Sequence, residues 1–194
     1  HDGRGGPASQ PGRTFVLMRR AFVTGIAGFT GRHLSEALVR QGYRVSGLVQ
    51  SATELGSQGV AQVYQGDLLD TPRLAEMLAE ERPEFVVHLA ALSFVAHGDV
   101  ESIYRSNLVG TRSLLEALTR VGSIRHVLLA SSANVYGNAT AGLLDEDVPP
   151  APANDYAVSK LAMEYMARLW ADRLPLTLVR PFNYTGAGQA RHFL

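Results

Sequence analysis

The sequence predicts an α/β fold in which a doubly wound parallel sheet carries helices on both faces. Two observations support this prediction. From residue 20 onward, short apolar runs alternate with stretches of helical periodicity, which is the pattern of successive strand–helix steps. A glycine-rich turn separates the first apolar run from the first helical stretch. With 46% hydrophobic residues among 194, the chain can bury one sizeable core.

Six strands and four helices follow from this pattern. The apolar runs predict strands over 21–24, 44–49, 62–65, 85–90, 126–131 and 176–180. The helical stretches between them span 31–40, 71–82, 100–121 and 156–173. Pro72 suits the first turn of the second helix, and Pro149, Pro150 and Pro152 mark an irregular loop before the last one.

Composition excludes several classes of protein. Eighteen Lys and Arg residues balance eighteen Asp and Glu residues, so the charge favours neither nucleic acid nor an anionic membrane as a partner. Cysteine is absent, which excludes disulfides, thiolate metal sites and a thiol nucleophile. No apolar run approaches the length of a membrane span. We expect a cytoplasmic protein with a small-molecule ligand and no metal.

The turn after the first strand, TGIAGFTG, predicts a cofactor site. Gly25, Gly28 and Gly31 recur every three residues between strand and helix, which lets the backbone approach a pyrophosphate at the helix N-terminus. We expect Phe29 and Thr30 in the same turn to contact the cofactor. The alternative is that the glycines serve only a tight turn or close packing.

Two further strand ends complete the predicted cofactor site. In GDLLD, Asp67 can accept a hydrogen bond from an adenine amino group beside Leu68, and a helix-capping or turn aspartate is the alternative. In HLAAL, the stretch through Leu89, Ala90 and Ala91 ends a buried strand with small residues, which leaves room for a cofactor against the backbone.

The end of the second strand bears on the choice of dinucleotide. An acid there accepts the ribose 2′-OH of NAD, and an arginine pairs with the 2′-phosphate of NADP. The sequence reads GLVQSATE, with neither residue in the expected place. Gln50 and Ser51 can donate hydrogen bonds to a phosphate. The sequence therefore favours NADP, with NAD as the alternative.

The chemistry is predicted from Ser132, Tyr156 and Lys160. Tyr156 and Lys160 stand four residues apart in a predicted helix, so the ammonium lies one turn from the phenol and is expected to favour its ionised form. With Ser132 at the end of the fifth strand, both hydroxyls can converge on one carbonyl oxygen beside a nicotinamide. Taken alone, the tyrosine–lysine pair is more often a solvated helix pair; the surrounding motifs reverse that judgement.

Substrate contacts are expected from Ser93, Asn134 and Asn183. Asn183 follows the sixth strand, where its amide can contact a substrate diphosphate. Asn107 is either a bridge from its helix to water or backbone at the active site, or an ordinary polar helix residue. His88 is interpreted as a packed strand residue, because no second His or acid stands at metal-binding spacing.

The ordered set of motifs resembles the extended short-chain dehydrogenase/reductase family, the NAD-dependent epimerase/dehydratase group. It runs from about residue 19 to residue 189 and comprises TGIAGFTGRHL, GDLLD, HLAAL, NLVGT, SSANVYG, YAVSK and RPFNYTGAGQ. The resemblance implies a Rossmann fold, a nicotinamide cofactor and usually a nucleotide-sugar substrate. By position, Ser132, Tyr156 and Lys160 correspond to the catalytic triad of that family.

Within the family, GLVQSAT and RPFNYTGAGQ are most similar to the GDP-mannose branch, which comprises 4,6-dehydratases and 4-keto-6-deoxy-sugar reductases. The dehydratases place an acid two residues before the Tyr of SSxxxYG, where this chain has Asn134, and a carboxamide cannot act as a general base. We therefore expect reduction of a 4-keto-6-deoxy GDP-sugar. The alternatives are a nucleotide-sugar 4-epimerase, a 4,6-dehydratase and a non-catalytic dinucleotide-binding regulator.

The sequence also predicts how the chain is organised. Residues 1–17 are interpreted as a disordered tail or a remnant of upstream sequence, because they hold four Gly and two Pro without a hydrophobic period. Residues 18–185 are expected to form the dinucleotide-binding domain. Residues 186–194 are expected to begin a substrate-binding segment, with the C-terminal substrate domain largely missing. The resemblance further implies a homodimer that uses the helices at 100–121 and 156–173.

Overall fold

The computed structural model describes residues 18–51, 59–93, 99–138 and 142–189, so the predicted tail at 1–17 lies outside the described residues. Within those ranges, six strands form one sheet in the order β3-β2-β1-β4-β5-β6. The strands are β1 (Arg20–Thr24), β2 (Arg44–Val49), β3 (Gln62–Gln65), β4 (Phe85–His88), β5 (His126–Ala130) and β6 (Leu176–Val179).

Neighbouring strands are parallel throughout, and the strand order reverses between β1 and β4. Thr24, the last residue of β1, is in register with Leu48 of β2 and with His88 of β4. The carboxyl ends of these strands therefore lie at nearly one level. In an open sheet of this kind, the crevice that binds a ligand lies outside those ends, at the point where the order reverses.

Among the described residues, five α-helices connect the strands: α1 (Phe29–Arg40), α2 (Thr71–Glu81), α3 (Val100–Tyr104), α4 (Thr111–Leu118) and α5 (Asp155–Arg168). A π-helical turn, Arg105–Gly110, joins α3 to α4, and a 3₁₀ turn, Ala133–Tyr136, follows β5. The side chains of Asp70 and Asn154 accept backbone N–H groups at the start of α2 and α5. Such caps explain where these two helices begin.

The core is divided between the two faces of the sheet. On one face, α2, α4 and α5 cover a large cluster that includes Phe22, Leu114 and Met163, all fully buried. On the other face, α1 covers a smaller cluster around Val23 and Val45. Phe22 and Val23 belong to opposite clusters because consecutive strand residues point to opposite faces. Each buried side chain of this size contributes roughly 1.5–3 kcal/mol. Helices on both faces confirm the doubly wound α/β prediction.

The helix boundaries differ from the prediction. The predicted helix at 100–121 is divided in the structure into α3, the π-helical turn and α4. The sequence pattern did not reveal this division, because one extra residue in a helical turn barely changes the apolar periodicity. The last helix ends at Arg168 rather than 173; Trp170 and Leu174 beyond it are buried and prolong the apolar pattern. Helix α1 begins two residues early, at Phe29, because Gly28 with extended backbone forms its N-cap. In the described part of the chain, none of the helices has the length and apolar character to span a bilayer.

Candidate active site

Two cavities that share Gly25, Gly28 and Ala91 lie at the carboxyl edge of the sheet, with volumes of about 890 Å³ and about 470 Å³. All seventeen residues predicted for the site line one or both of them. Beside the larger cavity lie Gly25, Gly28, Phe29, Thr30, Gly31, Leu89, Ala91, Ser93, Ser132, Asn134, Tyr156, Lys160 and Asn183. Beside the smaller cavity lie Gly25, Gly28, Gln50, Asp67, Leu68, Ala90 and Ala91.

The turn between β1 and α1 needs glycine at two positions. Gly25 has a φ of 68°, and a Cβ there would lie 2.8 Å from the Ala90 amide nitrogen. A Cβ at Gly31 would lie 2.2 Å from the Gly25 carbonyl oxygen. No side chain caps α1, and its first turn holds no acid. A dinucleotide pyrophosphate fits this turn, since it requires close approach of the backbone and N–H donors at a helix N-terminus.

The smaller cavity lies beside the ends of β2 and β3. Asp67 Oδ1 accepts the Leu69 N–H at 2.9 Å, while Asp70 caps α2. Asp67 is therefore a turn aspartate that also lines the cavity. Gln50 lines the same cavity, and so does Arg105 from the π-helical turn, which the sequence analysis did not identify. The predicted sheet topology did not indicate which turn of the long helix reaches this edge.

Ser132, Tyr156 and Lys160 line the larger cavity together. Ser132 begins the 3₁₀ turn after β5, and its Oγ accepts the Asn134 N–H at 3.1 Å. Tyr156 lies in the first turn of α5, with Lys160 one turn further on. The Lys160 Nζ donates to the Ala130 carbonyl at 2.8 Å and lies 5.9 Å from the centroid of the Tyr156 ring. The fold thus gathers two hydroxyls and an ammonium beside the glycine turn.

The protonation of Tyr156 differs from the expectation. Burial raises the pKa of the Tyr156 phenol above its ordinary value, and a hydrogen bond with the Ser132 side chain offsets this only in part. Lys160 therefore does not bring that pKa below its ordinary value, contrary to the prediction. Its ammonium is held by the Ala130 carbonyl, and desolvation of the phenol dominates. A phenol of raised pKa stays protonated at neutral pH but is a weaker proton donor, so proton transfer from Tyr156 requires that the resulting tyrosinate be stabilised.

We expect Lys160→Met to change how the free energy of unfolding depends on pH. Burial lowers the pKa of Lys160 from 10.5 to about 8, with Glu164 opposing the change. At pH values below the Lys160 pKa of the folded protein, the charged lysine therefore lowers the free energy of unfolding by about 3 kcal/mol. This penalty disappears as the pH rises to the Lys160 pKa of the unfolded chain. The stability of the variant relative to the wild type should fall by about 3 kcal/mol between about pH 7 and pH 11. Urea unfolding of both proteins measures this difference, and a constant difference would contradict it.

A buried chain of hydrogen bonds lies beneath the site. The His88 Nδ1 lies 2.6 Å from Thr24 Oγ1, and its Nε2 lies 2.8 Å from Thr111 Oγ1. The Thr111 hydroxyl donates to the Asn107 carbonyl, so the His88 Nε2 is the donor and its Nδ1 accepts from Thr24. Burial lowers the pKa of His88 to about 3, which keeps it neutral. His88 is thus a packed strand residue, and the described residues hold no group of three metal-ligating side chains.

Asn107 acts as the bridge that was one of its two predicted alternatives. Its Oδ1 accepts the Leu92 N–H at 2.8 Å, and its Nδ2 donates to the Leu92 carbonyl at 2.8 Å. The same Nδ2 donates to Ser159 Oγ at 3.0 Å. Asn107 therefore ties the loop after β4 to α5, one residue before Lys160.

The segment after β6 folds back over the first turn of α1. The Tyr184 hydroxyl lies 2.5 Å from Thr30 Oγ1, and its ring stacks on Phe29 with centroids 6.1 Å apart. Arg32 Nη2 donates to the Gly188 carbonyl at 3.2 Å. This segment forms a wall of the larger cavity next to the glycine turn. The sequence analysis missed Tyr184, although an aromatic residue a few positions after a strand at this edge was an available signal.

The chain is similar in sequence to known proteins. The family model described as the NAD dependent epimerase/dehydratase family matches residues 21–194. GDP-6-deoxy-D-mannose reductase of Pseudomonas aeruginosa is 36% identical over 184 residues, which cover 92% of this chain and 56% of that protein. GDP-6-deoxy-D-talose 4-dehydrogenase of Aggregatibacter actinomycetemcomitans is 33% identical, with 90% of this chain and 56% of that protein covered. UDP-glucose 4-epimerase of Lactobacillus helveticus is 33% identical, with 87% and 52% covered.

The chain is also similar in fold to solved protein structures. A protein from Burkholderia cenocepacia is 53% identical and superposes with a TM-score of 0.84, covering 91% of this chain and 58% of that one. UDP-glucose 4-epimerase from Brucella ovis, solved in complex with NAD, is 30% identical with a TM-score of 0.78, covering 87% and 53%. The chain spans about half the length of the curated relatives it matches. From its family model, relatives and fold, the chain belongs to the NAD-dependent epimerase/dehydratase family of extended short-chain dehydrogenases/reductases.

Proposed function

We propose that the protein is an NAD(P)-dependent oxidoreductase that reduces the 4-keto group of a 4-keto-6-deoxy GDP-sugar. One observation carries the proposal: a serine, a protonated tyrosine and a lysine line one cavity in which Asn134 stands where a dehydratase needs an acid. The relatives named for reduction or dehydrogenation of GDP-6-deoxy sugars support the same choice.

Each residue of the trio has a distinct task in this reaction. When bound, the nicotinamide supplies the hydride for the carbonyl carbon. Ser132 Oγ already accepts the Asn134 N–H, so its own proton can be donated to the carbonyl oxygen of the sugar. Tyr156 transfers its phenolic proton to that oxygen. Lys160, charged below about pH 8, stabilises the tyrosinate that remains.

The acids near the cavity argue against dehydration. Removal of the C5 proton requires a general base beside the sugar, and a carboxamide at Asn134 cannot serve. Among the described residues that line the larger cavity, Asp155 is the one acid. Asp155 is the first residue of α5, and its Oδ1 accepts a hydrogen bond from the Tyr104 hydroxyl at 2.9 Å. Its carboxylate is therefore occupied by a residue outside the trio.

A nucleotide-sugar 4-epimerase is the second candidate. UDP-glucose 4-epimerases are similar to this chain at comparable identity, and epimerisation through a 4-keto intermediate needs the same trio without an added acid. A non-catalytic regulator is less favoured, because a protein that only senses dinucleotide has no need to retain Tyr156 and Lys160.

The substrate is proposed to contact Ser93, Asn134 and Asn183. All three are exposed polar residues on the wall of the larger cavity. In this proposal, the Asn183 amide contacts the diphosphate of the substrate, and the side chains of Ser93 and Asn134 contact its sugar. In this proposal, residues 18–185 form the dinucleotide-binding domain and residues 186–194 begin the part that binds substrate.

The decisive experiment is turnover of GDP-4-keto-6-deoxymannose by the full-length protein, followed by loss of reduced nicotinamide and by identification of the sugar. Stoichiometric cofactor oxidation with formation of a 6-deoxy sugar supports the reductase. Interconversion of UDP-glucose and UDP-galactose without net cofactor consumption would favour the epimerase instead. Cofactor binding with neither reaction would point to the regulator.

We expect NADPH to bind more tightly than NADH, by about tenfold. The described end of β2, at Val49, Gln50 and Ser51, holds no acid that would accept a ribose 2′-OH. Fluorescence titration of the reduced dinucleotides gives the two dissociation constants. In Gln50→Asp, the new carboxylate should reverse the preference. Tighter binding of NADH by the wild type, in line with the NAD complex of the Brucella ovis relative, would contradict the expectation.

We also propose a homodimer through the helices that include the π-helical turn and α5. Apolar side chains are exposed there: Val109 at 46%, Tyr165 at 57% and Leu169 at 77%. Sedimentation of the full-length protein over a wide concentration range tests the proposal. A dimer that dissociates in Leu169→Glu supports it, and a monomeric wild type would contradict it.

A further inference from the structure

A buried ion pair lies directly behind the catalytic trio. Glu164 follows Lys160 by one helical turn on α5, and its side chain is 2% exposed. Arg180, the first residue after β6, donates from Nε to Glu164 Oε1 at 2.9 Å and from Nη2 to Oε2 at 2.7 Å. The mechanism proposed above uses neither residue. A buried pair of this kind does not contribute stability by default, which leaves its presence to be explained.

The pair touches all three segments that supply the site. The Ser131 hydroxyl donates to Glu164 Oε1, and Ser131 immediately precedes Ser132. Arg180 Nη1 donates to the Tyr136 hydroxyl at 2.9 Å. The Tyr136 ring in turn stacks on Phe182, with centroids 6.4 Å apart and planes 18° apart.

Through these contacts, one bidentate pair joins the end of β5, the middle of α5 and the segment after β6. Phe182 lines the larger cavity beside Asn183, the residue offered to the substrate diphosphate. Loss of the ion pair would therefore alter the positions of the catalytic residues and of the substrate-facing residues of the same cavity.

We propose that Glu164 and Arg180 are positioning residues for the reduction. Glu164 stabilises the charged form of Lys160. Arg180 fixes the position of the Glu164 carboxylate and aligns the substrate-facing segment at 181–183. The inference rests on the proposed function, because it assigns these residues to the same site. Neither residue touches the reacting atoms.

Electrostatics supports this assignment. Burial alone would raise the pKa of Glu164, but hydrogen bonds from Arg180 and Ser131 bring it below its usual value, so the carboxylate is ionised at neutral pH. That carboxylate raises the pKa of Lys160 against the larger effect of burial. The groups that face Lys160 are Tyr156 and Glu164 on α5, His88 on β4, the Ala130 carbonyl on β5 and, behind Glu164, Arg180. Of these, Glu164 is the anion.

The test follows the titration of Lys160 by NMR in the full-length protein labelled with ¹⁵N-lysine. Lys160 is the one lysine of the 194-residue sequence, and Lys160→Arg identifies its signal. We expect kcat to fall at alkaline pH as Lys160 loses its charge. In Glu164→Gln, this fall and the titration of Lys160 should both move to lower pH by about one unit, a tenfold change in acidity. Glu116→Gln is the matched control, since Glu116 pairs with Arg112 and Arg120 at the surface of α4 and should change neither.

A second variant guards against misfolding, because Glu164→Gln leaves Arg180 without its carboxylate. Glu164→Gln/Arg180→Gln removes both charges and should show the same shift of Lys160, together with a raised KM for the sugar. A Lys160 titration equal to that of the wild type in both variants overturns the inference. The titration is read without turnover. A shifted Lys160 titration in the variants, together with a wild type that leaves the ketosugar unchanged, overturns the proposed reductase and supports the control of Lys160 by Glu164.

Discussion

Replacement of Tyr156 by Phe should lower kcat by about a thousandfold while leaving dinucleotide affinity nearly unchanged, because the variant removes the donated proton and keeps the ring. The phenol lies in the first turn of α5 on the wall of the larger cavity, and its raised pKa keeps it protonated. Turnover and cofactor titration in the full-length protein separate the two effects.

Tyr165→Phe is the matched control for this experiment. Tyr165 lies on the same helix and is 57% exposed, so removal of its hydroxyl should change neither turnover nor binding. If Tyr156→Phe retained the turnover of the wild type, the proton donor would have to be another group and the proposed role of Tyr156 would be wrong. Preserved biological function in a variant without turnover would favour the regulator.

Replacement of Gly31 by Ala should weaken dinucleotide binding by about a hundredfold, equivalent to roughly 2.7 kcal/mol. The added Cβ would lie 2.2 Å from the Gly25 carbonyl oxygen and 2.7 Å from the Ile26 Cα. Both are backbone atoms, so relief requires the turn between β1 and α1 to move. That movement displaces the N–H groups that are expected to meet the pyrophosphate.

Gly122→Ala controls for a general effect of the substitution, because no heavy atom of the described residues lies within 4 Å of a Cβ built there. Titration of NADPH to both variants, with thermal unfolding as a check of folding, measures the expected difference. Equal affinities in a folded Gly31→Ala protein would mean that the cofactor does not approach this turn.

Local sequence was sufficient for most of the fold. Strand positions follow from short apolar runs. The bounds of β2 and β3 match the prediction, β1 begins one residue earlier, and β4, β5 and β6 end one or two residues earlier than predicted. The boundaries of the long helices were less predictable. The π-helical turn around Asn107 and the early end of α5 at Arg168 leave the apolar periodicity almost intact. Burial of Trp170 beyond the helix shows why periodicity alone overestimates its length.

The sequence by itself determined the order of strands and helices along the chain and the place of the glycine turn, because each depends on residues close together in the chain. It also predicted a site at Ser132, Tyr156 and Lys160, which line one cavity in the structure. Only the tertiary structure decided how those groups behave. The direction in which the Tyr156 pKa shifts depends on burial of the phenol by other elements of the fold, which no local spacing encodes. The Glu164–Arg180 pair is likewise formed between a helix and a strand end that meet only when the sheet is assembled.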